Sequence, residues 1–263
     1  MLKIKNNGNF PSHIWVGAAK AASSWVWKNL SLHPDVYTSD KKEIHFFDNN
    51  YYKGIHWYQE NFITNKKIIL DVTPNYLNEK CLMLIEKDVP DVSIMMCFRN
   101  PIYRAFSQWK FDRFITGRNI TFMRFWNQNE VMVQNHGLYY QNLKYCKTKF
   151  SEQKIYYCFY DDIKKSPNKF LENICDYLKI ERKISEFSTY RWMPGQESCW
   201  QKTGIQNDNV KERYKYYTKF FEKLFLSYEE WKVLKNFYKE SIINLQNFTG
   251  RDLSAWLDFK QEE

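Results

Sequence analysis

Residues 13–48 read HIWVGAAKAASSWVWKNLSLHPDVYTSDKKEIHFFD, and their order decides how the rest of the chain is interpreted. Ile14–Gly17 is a short apolar run of strand character, Gly17–Ser24 a loop of small residues around one lysine, Lys20, and Ser23–Leu32 a helical pattern. The helix stops at His33-Pro34, because the residue before a proline is driven out of the α region. Small side chains between a strand and a helix let backbone N–H groups approach an anion, and the helix N-terminus adds partial positive charge. The loop is therefore a candidate phosphate or sulfate cradle. Val36–Thr38 is extended, and Lys41-Lys42-Glu43-Ile44-His45 closes the stretch with two groups able to move a proton.

Outward from this stretch, short apolar runs alternate with amphipathic ones. Tyr51–Phe62 predicts a helix, Lys67–Val72 a strand ending at Thr73-Pro74, Asn75–Glu86 a helix and Val92–Phe98 a buried strand. Asn100 is placed to cap a helix whose first residue is Pro101 and which runs to about Gly117. Thr121–Asn135 and Leu138–Phe150 carry helical spacing around His136-Gly137. Lys154–Tyr160 is the last strand, Ser166-Pro167 opens a helix to Leu178, residues 182–210 read as a long loop, and Lys211–Leu226 and Ser227–Phe248 predict two helices. Strands separated by helices predict an α/β fold, a single domain over residues 1–263 with a central parallel sheet flanked by helices. In such folds ligands lie beyond the carboxyl ends of the strands, which directs attention to Gly17–Ser24, Asp71–Asn75, Arg99–Ser107 and Tyr160–Asp162.

The 263 residues, 44% of them hydrophobic, suffice for a large core, and the net charge of +9 favours an anionic partner. Six cysteines stand without a C-x-x-C pair, so neither a zinc site nor a disulfide framework is indicated. The start MLKIKNNGNF lacks an apolar leader, and the longest apolar runs fall short of a bilayer span, so a soluble, cytoplasmic protein is expected. No nucleic-acid partner and no metal are expected, and the oligomeric state is open.

A nucleoside-triphosphate loop of the form G-x-x-x-x-G-K-[ST] needs lysine directly before the hydroxyl residue. Here Ala21-Ala22 separate Lys20 from Ser23-Ser24, which disfavours a kinase, although Ile68-Ile69-Leu70-Asp71 looks like a magnesium-holding run. The order Gly17-x-x-Lys20-x-x-Ser23-Ser24 instead resembles the G-x-x-K-x-G-T-T loop of sulfotransferases that use 3′-phosphoadenosine 5′-phosphosulfate (PAPS), with Ala22 where that family has glycine. The resemblance continues in His33-Pro34-Asp35-Val36, in Lys42–Phe47 (KEIHFF), in Thr73-Pro74-Asn75-Tyr76, and in Arg99–Ser107 (RNPIYRAFS). Gly137–Tyr140 and the terminal Gly250–Trp256 also fit, so the resemblance covers essentially the whole chain, and the heparan sulfate type is the nearest subgroup.

That resemblance implies a P-loop-like sulfotransferase fold with PAPS as sulfuryl donor and a saccharide or small-molecule acceptor. Lys20, Ala21, Ala22, Ser23 and Ser24 would hold the 5′-phosphosulfate, with Lys20 stabilising the leaving oxygen, and Arg99 and Ser107 would hold the 3′-phosphate. Arg104 is read as either part of this site or the partner of a carboxylate. Lys202 and Gly204 are the nearest substitutes for the family's late K-G-R loop. A sulfuryl group carries less charge than a phosphoryl group, so cations and N–H donors can serve without a metal. Glu43 is the candidate general base, ionised at neutral pH from its reference pKa of about 4.3, and His45, at about 6.5, is the rival. An extended segment would put both on one face. Tyr51, Tyr52, His56, Trp57 and the 192–200 loop are candidate acceptor contacts. The alternatives are a P-loop-type kinase and an inactive nucleotide-binding protein.

Overall fold

The computed structural model describes residues 9–129, 133–183 and 224–260. In chain order the described elements are β1 (His13–Gly17), α1 (Ser23–Ser31), β2 (Val36–Thr38), α2 (Ile55–Gln59), β3 (Ile68–Val72), α3 (Glu79–Asp88), β4 (Ser93–Phe98), α4 (Pro101–Thr116), α5 (Phe122–Gln128), α6 (Tyr139–Lys149), β5 (Ile155–Phe159), α7 (Tyr160–Lys165), α8 (Pro167–Leu178) and α9 (Tyr228–Thr249). They group into two compact units, one comprising Met1–Phe98 and Asn142–Trp192, the other Arg99–Gln141 and Met193–Glu263.

The first unit holds a five-stranded sheet in the order β2-β3-β1-β4-β5, every neighbouring pair parallel. Ile14 of β1 stands opposite Asp71 on one side and Ile94 on the other, so β1 is central. Ile14, Trp15, Val16, Leu70, Asp71, Met95, Met96 and Cys97 are fully buried, as strands covered on both faces require. The chain moves toward one edge from β1 to β2 and toward the other from β3 to β4. Right-handed crossovers therefore place α1 and α3 on opposite faces. Helix α8 joins the α1 face through Trp25 and Phe170, whose rings are 6.1 Å apart. On the other, Tyr145 of α6 donates to Glu86 of α3 at 2.7 Å. The second unit packs α4 against α5 and α9: Phe106 meets Phe122 edge-on at 5.1 Å, and Trp126 meets Tyr238 at 5.6 Å. Ser227 and Glu230 form a capping box at the start of α9.

The predicted strands are all present, while several helices are shorter than their apolar spacing suggests. Tyr51–Phe62 is broken at Gly54, whose φ of 80° no helix accommodates, leaving a 3-10 turn at Tyr51–Lys53 before α2. Asn75–Glu86 begins later, because Pro74–Tyr76 makes its own 3-10 turn and Asn78 then caps α3 by accepting from the Cys81 N–H. Within Thr121–Asn135, α5 ends at Gln128, with Thr121 as its cap, and residues 130–132 lie outside the described residues. The helix expected from Ser166-Pro167 is present as α8, and a separate α7 precedes it because Pro167 cannot continue the earlier helix. Of the predicted helix over residues 211–226, residues 224–226 are not helical and the rest, with most of the 182–210 loop, lies outside the described residues.

Glycine at 17 is set by packing. A Cβ there would lie 2.6 Å from the Leu77 Cβ and 3.0 Å from the Pro74 carbonyl oxygen, so β1 and the turn after β3 close on each other only because no side chain intervenes. Gly17→Ala is expected to destabilise the protein by about 1–3 kcal/mol, read as a lower urea midpoint at unchanged slope. An unaltered midpoint would show that the turn yields freely.

Candidate active site

The loop after β1 leaves the sheet where its order reverses, with β3 on one side and β4 on the other, the place where open α/β sheets bind ligands. The Ala18 N–H still donates to the Cys97 carbonyl at 2.9 Å, and the chain then turns through Lys20 and Ala22, both in the left-handed region at φ 66°. Each such non-glycine residue costs on the order of 1–2 kcal/mol, strain of the kind held at binding sites. Alternation of this sort turns successive N–H groups toward one concavity, an anion nest. Helix α1 begins without a side-chain cap on Ala22 and without an acidic residue in its first turn. Its leading N–H groups therefore lack the usual intramolecular acceptor, and an anion with several oxygens fits there. Ala21 and Ser23 are buried at the base of this cradle, and Lys20, Ala22 and Ser24 are half-buried at its mouth. Ala22 occupies the position expected to be glycine, and its left-handed backbone shows why glycine would suit it.

The second cluster lies beyond the carboxyl end of β2, on the same edge of the parallel sheet. The segment is not extended: Glu43 at φ 62° and His45 at φ 55° are both left-handed. Their side chains meet all the same, with His45 Nε2 3.4 Å from Glu43 Oε2. Lys42 Nζ contacts Glu43 Oε1, and His45 Nδ1 lies 2.8 Å from Asp48 Oδ2. The four side chains thus form a chain of alternating charge. Asp48 is held by the wide turn Phe46–Asn50, in which the Asn50 N–H donates to the His45 carbonyl at 2.8 Å and the Phe46 N–H donates to the Tyr76 hydroxyl at 2.7 Å.

The charges follow from these contacts. The bond to Asp48, supported by Glu43, raises His45 from 6.5 to about 9, so at neutral pH it is an imidazolium donating from both nitrogens. Burial pushes Glu43 up, but His45 and the Lys42 charge outweigh it and bring the carboxyl from 4.5 down to about 2. Glu43 is therefore a carboxylate, 34% exposed and within reach of an incoming group. His45 carries its proton already and cannot accept another. Behind them Asp71 is wholly buried, accepting from Tyr58 at 2.8 Å and Thr73 at 2.7 Å, and burial raises it to about 6 despite those donors. Tyr58 stacks on Phe46 at 4.6 Å, so the strand, α2 and the Asp48 turn form one packed block. Asp48 and Tyr58 had no part in the expected site, and Asp71 entered only as a strand end and a magnesium-like run. The only sequence signal for Asp48 was an acid three residues after His45.

Among the proposed acceptor contacts, Tyr51 is engaged with Asp88 at 2.8 Å, Tyr52 is 81% exposed, and Trp57 is half-buried with Lys53 Nζ 4.2 Å from its ring centre. In the second unit Asn100 caps α4, Arg99 precedes it half-buried, and Ser107 lies half-buried two turns into the helix. Arg104 is fully buried and donates to the Val133 backbone carbonyl rather than to a carboxylate. Lys202, Gly204 and the 192–200 loop lie outside the described residues. Among the described residues, no group of three or more His, Cys, Asp or Glu is placed to hold a metal ion, and no helix is long and apolar enough to cross a membrane.

Comparison with known proteins gives this geometry a family. The chain is similar to the membrane-associated sulfotransferase kil1 of Dictyostelium discoideum, 29% identical over 39% of this chain and 23% of that one. It is also similar to human heparan sulfate glucosamine 3-O-sulfotransferase 6, 32% identical over 38% of this chain and 30% of that one. The match thus spans about a third or less of these curated relatives. Among solved structures, a sulfotransferase from Alicyclobacillus acidocaldarius superimposes with a TM-score of 0.73 at 20% identity, over 95% of this chain and all of that one. A mouse sulfotransferase complexed with PAP gives 0.55 at 13% identity, over 92% and 89%. These share the fold. A family model described as sulfotransferase domain matches residues 11–242, and the chain belongs to that family.

Proposed function

We propose that the protein transfers a sulfuryl group from PAPS to a hydroxyl or amine of a saccharide or small-molecule acceptor. The observation that carries this reading is an uncapped, left-handed Lys20 loop sharing a sheet edge with the Glu43–His45–Asp48 chain. Family membership supports it, and the relatives named as heparan sulfate sulfotransferases favour a saccharide. The donor supplies an activated sulfuryl group on a phosphate leaving group. Lys20, the first N–H groups of α1 and the hydroxyls of Ser23 and Ser24 hold that anionic end and stabilise charge on the departing oxygen. Arg99 and Ser107 take the 3′-phosphate. Glu43 accepts the acceptor's proton, while His45, charged and bonded to Asp48, fixes the carboxylate's direction. A carboxylate held near 2 is a weak base, so the network supplies orientation at some expense of basicity. No metal has a part in this scheme, and the five described, buried free thiols suit a reducing cytoplasm.

A kinase would need a carboxylate for magnesium. Asp71, the residue that looked suited to this, has both oxygens engaged by Tyr58 and Thr73. Calorimetry decides between the two: adenosine 3′,5′-bisphosphate should bind without metal, and Lys20→Ala should weaken it about tenfold or more. Tight magnesium-ATP binding with no bisphosphate binding would overturn the proposal.

The ion network also makes stability depend on pH. His45 is raised to about 9, so its contribution is complete below 6.5 and fades as pH rises through 9. Glu43 is depressed to about 2, so its contribution is complete above 4.5 and fades as pH falls toward 2. His45→Gln should therefore lose most stability relative to wild type near pH 6 and converge with it above pH 9. Parallel urea midpoints across that range would mean that His45 is not held charged.

A further inference from the structure

Two motifs noted in the sequence, Gly137–Tyr140 and Gly250–Trp256, have no part in the proposed chemistry. In the second unit both converge on Arg99-Asn100. The Tyr139 hydroxyl donates to the Arg99 carbonyl at 2.9 Å, and Tyr139 is 1% exposed. The Asn100 amide donates to the Trp256 carbonyl at 3.0 Å while its oxygen accepts from the Ile102 N–H at 3.0 Å. Three residues after Asn100, the Tyr103 hydroxyl donates to the Lys260 carbonyl at 2.6 Å.

The segment that presents Tyr139 is fixed in turn. Arg104 of α4 donates to the Val133 carbonyl, and the Tyr238 hydroxyl of α9 lies 3.1 Å from the Val133 carbonyl and 2.9 Å from that of Gln134. A Cβ on Gly137 would fall 2.6 Å from that same hydroxyl, so glycine is what lets the turn lie flat on Tyr238. The start of α4 is thus tied to two separate parts of the chain, the segment from Val133 to Tyr139 and the terminal segment from Trp256 to Lys260. Arg99 itself precedes the helix and its cap. Its carbonyl is held by a buried side chain, the Tyr139 hydroxyl.

We infer that Tyr139 is a positioning residue for the 3′-phosphate end of the donor site, holding the Arg99 peptide so that the guanidinium leaves the chain in one direction. This rests on the reading above that Arg99 binds the 3′-phosphate. Fixing the carbonyl sets the ψ of Arg99 and, through the shared peptide plane, the φ of Asn100. The side chain then meets its phosphate without a search, which appears as affinity.

The test compares two nucleotides that differ only in that phosphate, adenosine 3′,5′-bisphosphate and adenosine 5′-monophosphate, by calorimetry on the full chain. Tyr139→Phe removes one oxygen and should lower bisphosphate affinity about five- to tenfold while leaving monophosphate affinity unchanged. A purely structural role would weaken both alike, and that result, or an unchanged bisphosphate affinity, overturns the inference. Should Tyr139→Phe fold poorly, Asn100→Ser keeps a helix cap, loses the bond to Trp256, and should shift the same ratio in the same direction. Arg99→Met is the control and should abolish the preference for the bisphosphate. If Arg99→Met leaves the preference intact, the Arg99 reading falls and this inference with it; if it abolishes the preference while Tyr139→Phe and Asn100→Ser leave it intact, only this inference falls.

Discussion

Helix α1 begins without a side-chain cap. The residue before it is left-handed, has no side chain that could cap, and is followed by no acid that could take up the dipole. The first N–H groups of a helix are met by side chains, by water or by a ligand, and without a side chain in that place a helix start beside a lysine offers its donors to an anion. The site depends on those donors. The parallel sheet brings the carboxyl ends of β1, β2 and β3 to one edge, which sets the Glu43–Asp48 segment on the same side as the open helix start.

The two halves of this edge are built on opposite principles. The loop offers donors and is held by backbone geometry, with the room for its turn secured by the contact between Gly17 and the Pro74–Leu77 segment. The Lys42–Asp48 segment offers an acceptor and is held by charge. There His45 is kept positive by acids on both nitrogens, which makes it a fixed donor and leaves Glu43 as the proposed proton acceptor. The sequence left these two residues as rivals, because their reference pKa values favour histidine and only the contacts reverse that order. The buried Asp71 anchors the block to the sheet through hydroxyls bonded to both of its oxygens.

Much of the fold was legible because buried parallel strands are runs of apolar residues, and KIILDV and VSIMMCF are hard to place anywhere else. Helix ends were less legible, since Gly54 and Asn78 act through backbone angle and a single side-chain bond rather than through hydrophobic period. The Lys20, Glu43 and His45 positions were visible as residue types. Their geometry was not, because left-handed angles at Lys20, Ala22, Glu43 and His45 contradict the preference of every one of those residues. Asp48 and Tyr139 were overlooked as functional candidates because their value lies in what they hold, and a residue that acts through another leaves no local signature.

The central claim is that Glu43 receives a proton as a sulfuryl group leaves PAPS. The most direct measurement is single-turnover transfer from radiolabelled PAPS across a panel of saccharide and small-molecule acceptors, with Glu43→Gln beside wild type. The account predicts label on at least one acceptor, a fall in the transfer rate of about a hundredfold or more in Glu43→Gln, and unchanged binding of adenosine 3′,5′-bisphosphate. Transfer at the wild-type rate by Glu43→Gln would contradict it.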